Sequence, residues 1–464
     1  MGMVQWWTLL WISWYCHTLS AEVLVQYKYF VPGQRKDISL QAPAEPKGTE
    51  FIWEWTPHDG SNKRLIITIQ SNGDFVRNSL FFSISKESKY GIRLESQSEI
   101  AGVFTFIQTK PENVNLAQII VSAVKVTQSP RSIINEGSDV ALSCEVSHLP
   151  DSATLAWERD REPTANTTLL YNNTAHIIIH SAEQYSAGSY NCTLRRNGSL
   201  IFSVPHTFRV NEGTFRTHPT LYRGSLNGSE LVLICHSHSS WDKAEWYWTP
   251  LSQSSILLIS ADKHKDVSVS METDKERFSF DVYDGYKFPL RISPVKFGDS
   301  GGYTCYYDGQ TYSTVTLVTI WVSAEPPGGL SRNQSVVLNC EISQGIDNVT
   351  LAWLRMKGGR GELVKQEVLT KRTPKMMLSL TLPSLTEDQL HWACVVFTGS
   401  VLRAQVPLHL TLPTTHIKQG WSTETVVRVV IVALATLGML LVLRWYWSWT
   451  RLHASEPESA QPEE

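Results

Sequence analysis

Asp299-Ser300-Gly301-Gly302-Tyr303-Thr304-Cys305 closes a pattern that opens at Cys235 and passes through Trp246. The same order recurs upstream as Cys144, Trp157 and Ser186-Ala187-Gly188-Ser189-Tyr190-Asn191-Cys192. It recurs downstream as Cys340, Trp353, Asp388 and Trp392-Ala393-Cys394. Longer echoes surround these blocks. Trp53-Glu54-Trp55-Thr56-Pro57 returns as Trp246-Tyr247-Trp248-Thr249-Pro250, 193 positions later. Thr154-Leu155-Ala156-Trp157-Glu158-Arg159 returns as Thr350-Leu351-Ala352-Trp353-Leu354-Arg355, 196 positions later. Cys144-Glu145-Val146-Ser147 is echoed by Cys340-Glu341-Ile342-Ser343, and Val121-Ser122-Ala123 by Val322-Ser323-Ala324. Similarity that keeps order and nearly keeps offset marks a tandem duplication of a two-domain unit.

The order Cys, Trp, Tyr-x-Cys is the signature of an immunoglobulin sandwich. Two antiparallel sheets pack face to face, one disulfide pins them, and the tryptophan fills the space beside it. The tyrosine shares a strand face with the second cysteine because strand side chains alternate. The expected bonds join Cys144 to Cys192, Cys235 to Cys305 and Cys340 to Cys394, each within one sandwich.

The block from about residue 22 to 123 has no cysteine but keeps the pattern's outline. Ala42 stands in the first cysteine seat, Trp53 follows 11 residues later, and Phe106 stands in the second seat. A small residue facing a large one fills the disulfide's space by packing, at the loss of the bridge's roughly 2–4 kcal/mol. Ile100 replaces the acidic residue of the corner before the last strands, whereas Arg277 and Asp299 are placed to pair in the third block.

The seats are 64 residues apart in the first block and 70 in the third, but 48 in the second and 54 in the fourth. The longer spacing leaves room for the extra strands of a variable-type sandwich; the shorter reads as constant-type. The expected fold is all-β: four tandem immunoglobulin-like sandwiches, variable, constant, variable, constant, plus one transmembrane helix. The predicted divisions are a signal peptide at 1–20, sandwiches at 21–123, 124–211, 212–323 and 324–412, a stalk at 413–424, a membrane helix at 425–447 and a tail at 448–464. Ile119 to Val126 runs from sandwich one into two without Gly or Pro and predicts a stiff joint. Asn211-Glu212-Gly213-Thr214 and Glu325-Pro326-Pro327-Gly328-Gly329 read as looser ones.

The apolar run Trp6 to Cys16, followed by small residues to Ala21, reads as a secretory signal whose cleavage removes Cys16. The six remaining cysteines pair, as an oxidising compartment favours. Asn166, Asn172, Asn191, Asn197, Asn227, Asn333 and Asn348 head Asn-x-Ser/Thr glycan acceptors, none in the first sandwich. Val429 to Leu443 carries no charge and is flanked by Arg428 and by Arg444-Trp445-Tyr446-Trp447. Aromatic and basic residues of this kind sit at membrane interfaces. The short acidic tail carries no tyrosine signalling motif and no cysteine pair to clasp a kinase. Arg428 therefore has two readings: it meets an acidic residue of a membrane adaptor chain, or it snorkels to the outer headgroups.

The alternation of long and short sandwiches, the stiff first joint, Trp392-Ala393-Cys394 and Met377-Leu378-Ser379-Leu380 resemble the helper T-cell coreceptor and lymphocyte-activation receptor family over about residues 22 to 445. The resemblance implies a single-pass type I receptor at the plasma membrane, with a cell-surface protein ligand such as a histocompatibility molecule. The cysteine-free first sandwich is instead like that of adhesion and signalling-lymphocyte receptors.

Catalysis finds no support. In Cys235-His236-Ser237-His238, alternation sends the cysteine inward and the histidines outward, so the three cannot share a metal. No Gly-rich phosphate loop or nucleophile motif is present, and no cofactor is called for. The net charge is −3, which leaves no basic field for nucleic acid. Two function classes remain: a recognition receptor whose distal sandwich binds a protein on another cell, or a structural or cis-acting glycoprotein without such a ligand. For the first, the turn around His58 to Ile69, with Asn62, Lys63 and Arg64, is the candidate ligand face; the alternative is a solvated polar turn.

Overall fold

The computed structural model describes residues 23–411 and 423–452 except 35, 44–45, 80–82, 132, 161, 164–167, 213–217, 238, 240, 252, 263, 265–266, 271–275, 280–285, 327–333, 346–347, 371–374 and 387–388. The signal peptide, most of the stalk, residues 453–464 of the tail, His238, Asn166 and Asn333 lie outside the described residues.

Glu50–Thr56 alternates, burying Phe51, Trp53 and Trp55 while Ile52 and Glu54 point the other way. It pairs with Gly102–Lys110 on one side and with Arg64–Gln70, then Phe75–Arg77, on the other. Val114–Ser129 and the parallel strand Leu24–Phe30 complete that sheet. Ile38–Leu40, Ile92–Leu94 and Ile84–Lys86 form the facing sheet. Sandwich three repeats the plan, with Lys243–Thr249, Ile256–Asp262 and Val267–Val269 beside Gly301–Tyr307 and Gln310–Glu325. In sandwich two, Leu169–Tyr171 pairs with Thr174–Ala182, which pairs with Ser138–Val146; Ala153–Arg159 faces them beside Gly188–Arg196 and Ser199–Phe208. In sandwich four the edge strand Arg360–Leu369 is ten residues long and pairs with Val349–Lys357.

Each of the last three cores closes on a disulfide: Cys144–Cys192, Cys235–Cys305 and Cys340–Cys394, with Cα atoms 6.3 Å apart in all three. Beside each bridge a buried tryptophan pairs across the sheet with the second cysteine: Trp157, Trp246 and Trp353. Two residues before that cysteine, the Tyr190 and Tyr303 hydroxyls donate to carbonyls four residues upstream, those of Ser186 and Asp299. Trp392 does the same job with an indole N–H, donating to the Gln389 carbonyl at 2.8 Å. Arg277 pairs with Asp299 at 2.8 Å.

The joint between sandwiches one and two is built twice. Val114–Ser129 and Gln310–Glu325, each 16 residues, serve as the last strand of one sandwich and the first of the next. At the first crossing the Ala123 N–H donates to Ser147 Oγ, and the Ser147 N–H to the Ala123 carbonyl. At the second, Thr319 and Ser343 make the same two bonds. In the same register, Ile320 pairs with Ile342 as Val124 pairs with Val146. The strand is continuous through Glu325, which pairs with Val337.

Sandwiches two and three are also held by charge. Arg223, almost fully buried, donates to both oxygens of Asp139, at 2.6 and 2.9 Å, and to Ser181 Oγ. Burial pushes the Asp139 carboxyl up, but Arg223 and His180 outweigh it and hold it well below the usual range. Lys287 reaches Glu136 at 2.9 Å. Buried pairs of this kind contribute little net stability. Sandwich two also packs on four: Leu169, 0 % exposed, packs with Leu354, Val395 and Phe397. Leu170 and Tyr171 pair in parallel with Arg360 and Gly361.

Thr423–Leu452 is a 30-residue helix, and its stretch Val427–Arg451 is long and apolar enough to cross a membrane. Arg428 lies one residue inside that stretch.

Candidate recognition face

The sheet of sandwich one that carries Glu50–Thr56 turns its second face outward, and strand register sorts the side chains on it into rows. Residues directly opposite on paired strands point the same way. One row is Thr68, Ile52, Ile107 and Asn115; the next is Leu65, Glu54, Thr105 and Gln118; the third is Thr56, Val103 and Ile120. Ile52, Val103 and Ile120 are half-buried on this face and Ile107 and Thr105 buried, while Glu50 and Glu54 flank Ile52 on the same strand face, each ion-paired to a lysine. Leu65 is 39 % exposed and Val76, on the adjoining edge strand, 61 %. A continuous apolar patch on a sheet face of an otherwise polar surface marks an interaction site more often than scattered apolar residues do.

The three residues singled out from the sequence stand at one end of this face. Asn62 is exposed in a left-handed turn, φ 32°. Lys63 forms an ion pair with Glu54. Arg64 lies over the Trp55 ring, 5.9 Å from its centroid. The turn holding them is at the end nearest sandwich two. His58, in the same turn, hydrogen-bonds the Val121 carbonyl at 3.0 Å and stacks on His148 of sandwich two at 4.9 Å. Burial, with His148 adding to it, lowers the His58 pKa against the opposing pull of the Val121 carbonyl. This end of the turn is thus part of the joint, and the open surface lies along the rows. Ile52 was the legible signal: an apolar residue at an outward position between Phe51 and Trp53.

Asn172, Asn197, Asn227 and Asn348 are exposed, three of them at positive φ: Asn172 at 47°, Asn197 at 49° and Asn348 at 59°. Asn191 sits half-buried within a strand, between Glu158 and Pro205, and the hydroxyl of its acceptor Thr193 donates to Glu158 Oε1. All of these lie outside sandwich one.

Residues 125–195 match the immunoglobulin domain family. The chain therefore carries an immunoglobulin domain over that stretch. Solved structures similar to this chain include the extracellular fragments of novel immune-type receptors 10 and 11 from Ictalurus punctatus. Receptor 10 is 20% identical over 22% of this chain and 98% of its own, with a TM-score of 0.20. Receptor 11 is 17% identical over 22% and 98%, also at 0.20. A chicken TCR is 15% identical over 42% of this chain and 98% of its own, at 0.23.

Proposed function

We propose that the chain is a single-pass type I glycoprotein of the plasma membrane that recognises a protein on another cell through the outward face of sandwich one. The observation that supports this reading is the set of exposed or half-buried aliphatic residues Ile52, Leu65, Val76, Val103 and Ile120 on one sheet face, with no glycan acceptor in its own sandwich. The resemblance to the helper T-cell coreceptor family makes a histocompatibility molecule one partner to test.

Cells displaying the full-length chain should bind intact leukocytes. Ile52→Glu and Ile120→Glu should abolish binding at unchanged surface level, and Lys63→Glu/Arg64→Glu should weaken it less. If the wild-type chain binds no cell, or if both face variants bind as well as it does, the recognition reading falls and a structural or cis-acting role takes its place.

Arg428 inside the apolar stretch favours a second element, an adaptor chain with a membrane acid beside it. Co-precipitation with such adaptors should fall in Arg428→Leu. Equal recovery of both forms removes the adaptor.

A further inference from the structure

His391 and His409 are cross-strand partners on the last two strands of sandwich four, and both are exposed. Their Nδ1 atoms face each other at 2.9 Å, with the rings at 77°. A third donor stands level with them. Arg355 pairs with Trp392, so its neighbour Met356 comes opposite His391 on the next strand. Met356, His391 and His409 form one row across three adjacent strands and line one cavity, which Gly358, Gly359 and Gln405 help to shape. None of the three belongs to the proposed recognition face.

The donors select among metals. Two imidazole nitrogens held by neighbouring strands are a ready chelate, and metal bonds of about 2.0–2.1 Å set such nitrogens roughly 3.3 Å apart in a tetrahedral site. Small rotations of two exposed rings span that difference. Ca2+ and Mg2+ ask for oxygen cages, and the cavity lining offers no carboxylate. Structural zinc takes thiolate, imidazole or carboxylate rather than thioether. Copper accepts imidazole, and in its cuprous form favours thioether sulfur. Among the described residues there is no cluster of three His, Cys, Asp or Glu; the third ligand here is a methionine.

We propose that Met356, His391 and His409 form a copper-binding site, with the two Nδ1 atoms as the principal ligands and the Met356 sulfur completing the set for the cuprous ion. The test titrates detergent-solubilised full-length chain, stripped of metal, with Cu2+ against glycine as competitor, and with Cu+ under anaerobic reduction. Wild type should bind one ion per chain and show coupling to two imidazole nitrogens in its electron paramagnetic resonance spectrum. His391→Gln and His409→Gln should each weaken Cu2+ binding about tenfold or more, the loss typical of a disturbed ligand set. Met356→Leu should leave Cu2+ binding nearly unchanged and weaken Cu+ about tenfold. Unchanged melting of the three variants separates ligand loss from misfolding. The proposal is overturned if wild type takes up no copper under competition, or if His391→Gln/His409→Gln binds it with wild-type affinity. Unchanged Cu+ affinity in Met356→Leu overturns the role of the sulfur.

Discussion

The indole nitrogen of Trp53 donates to the carbonyl of Tyr90 at 3.0 Å. In the other sandwiches the equivalent donor reaches Ala175, Phe288 or Leu378. Each of those residues lies directly opposite the first cysteine of its bridge. Strands Ile38–Leu40 and Ile92–Leu94 pair Leu40 with Ile92, so the next same-face step sets Ala42 against Tyr90. Trp53 pairs with Phe106 just as Trp157 pairs with Cys192. Sandwich one therefore keeps the geometry of the bridge without its sulfur, and the rings of Phe106, Trp53 and Phe51 occupy the space.

Ala42→Cys/Phe106→Cys should consequently oxidise to a single bond within sandwich one. A loop of this length contributes about 4 kcal/mol through the unfolded chain, while deleting a buried Phe ring costs about 3–5 kcal/mol. The two effects nearly cancel, so the oxidised variant should melt within a few degrees of wild type, and the reduced form well below it. Non-reducing peptide mapping and melting with and without reductant are the checks. Two freely alkylated thiols would mean the seats do not face each other.

The contact between sandwiches two and four should trap a cross-link. The Tyr171 and Phe397 rings lie 6.0 Å apart, and His176 meets Phe397 edge-on at 5.7 Å. Tyr171→Cys/Phe397→Cys should be bridged within one chain by a short bis-maleimide, seen as a faster-migrating monomer on a denaturing gel. Phe397→Asp should open the contact and raise the maximum dimension in small-angle scattering. A cross-link found only between chains, or none, would refute the intramolecular contact.

Much of this was legible before any coordinates. Cysteine spacing marks the three bridged sandwiches, and the position of Trp53 locates the seats at Ala42 and Phe106. The contact between sandwiches two and four was not legible. Leu169 and Ile178 are apolar strand residues, and such residues read alike whether their own sheet or another sandwich covers them. The second crossing was not legible for a related reason. Pro326-Pro327-Gly328-Gly329 has the composition of a linker, yet the crossing is made by Thr319 and Ser343, two ordinary polar residues whose pairing exists only in register. Lys63 and Arg64 look free in a polar turn, but Glu54 and Trp55, on the neighbouring strand, already engage them.

Acid should weaken the molecule through His176. The ring is 5 % exposed and hydrogen-bonded to Ser143 at 2.9 Å, and burial lowers its pKa from 6.5 to about 4. Between those values the unfolded chain binds a proton that the folded chain does not, so stability rises with pH across that window and falls as pH drops through it. A shift of that size corresponds to roughly 3 kcal/mol at most. Wild type should lose melting temperature steadily from pH 6.5 to 4, and His176→Gln should lose less. Parallel curves for the two proteins would show that another group governs the response.

Glycan occupancy should follow backbone geometry. Asn172, Asn197 and Asn348 stand exposed in left-handed turns and Asn227 on an exposed loop, where a sugar meets only solvent. Asn191 is different. It lies between two paired strands, next to the bridged Cys192, and its acceptor Thr193 is 2 % exposed with its hydroxyl already given to Glu158. A glycan there would have to fit between Glu158 and Pro205, and the transferase would have to reach a Thr193 hydroxyl that is buried and already donated to Glu158. Glycopeptide mass spectrometry of the chain from secretory cells should find the four exposed sites modified and Asn191 bare. Asn191→Gln should then leave the chain's mass distribution unchanged, whereas Asn197→Gln should remove one glycan. Full occupancy at Asn191 would show that transfer outruns closure of the strand pair, and that local strand geometry does not control this site.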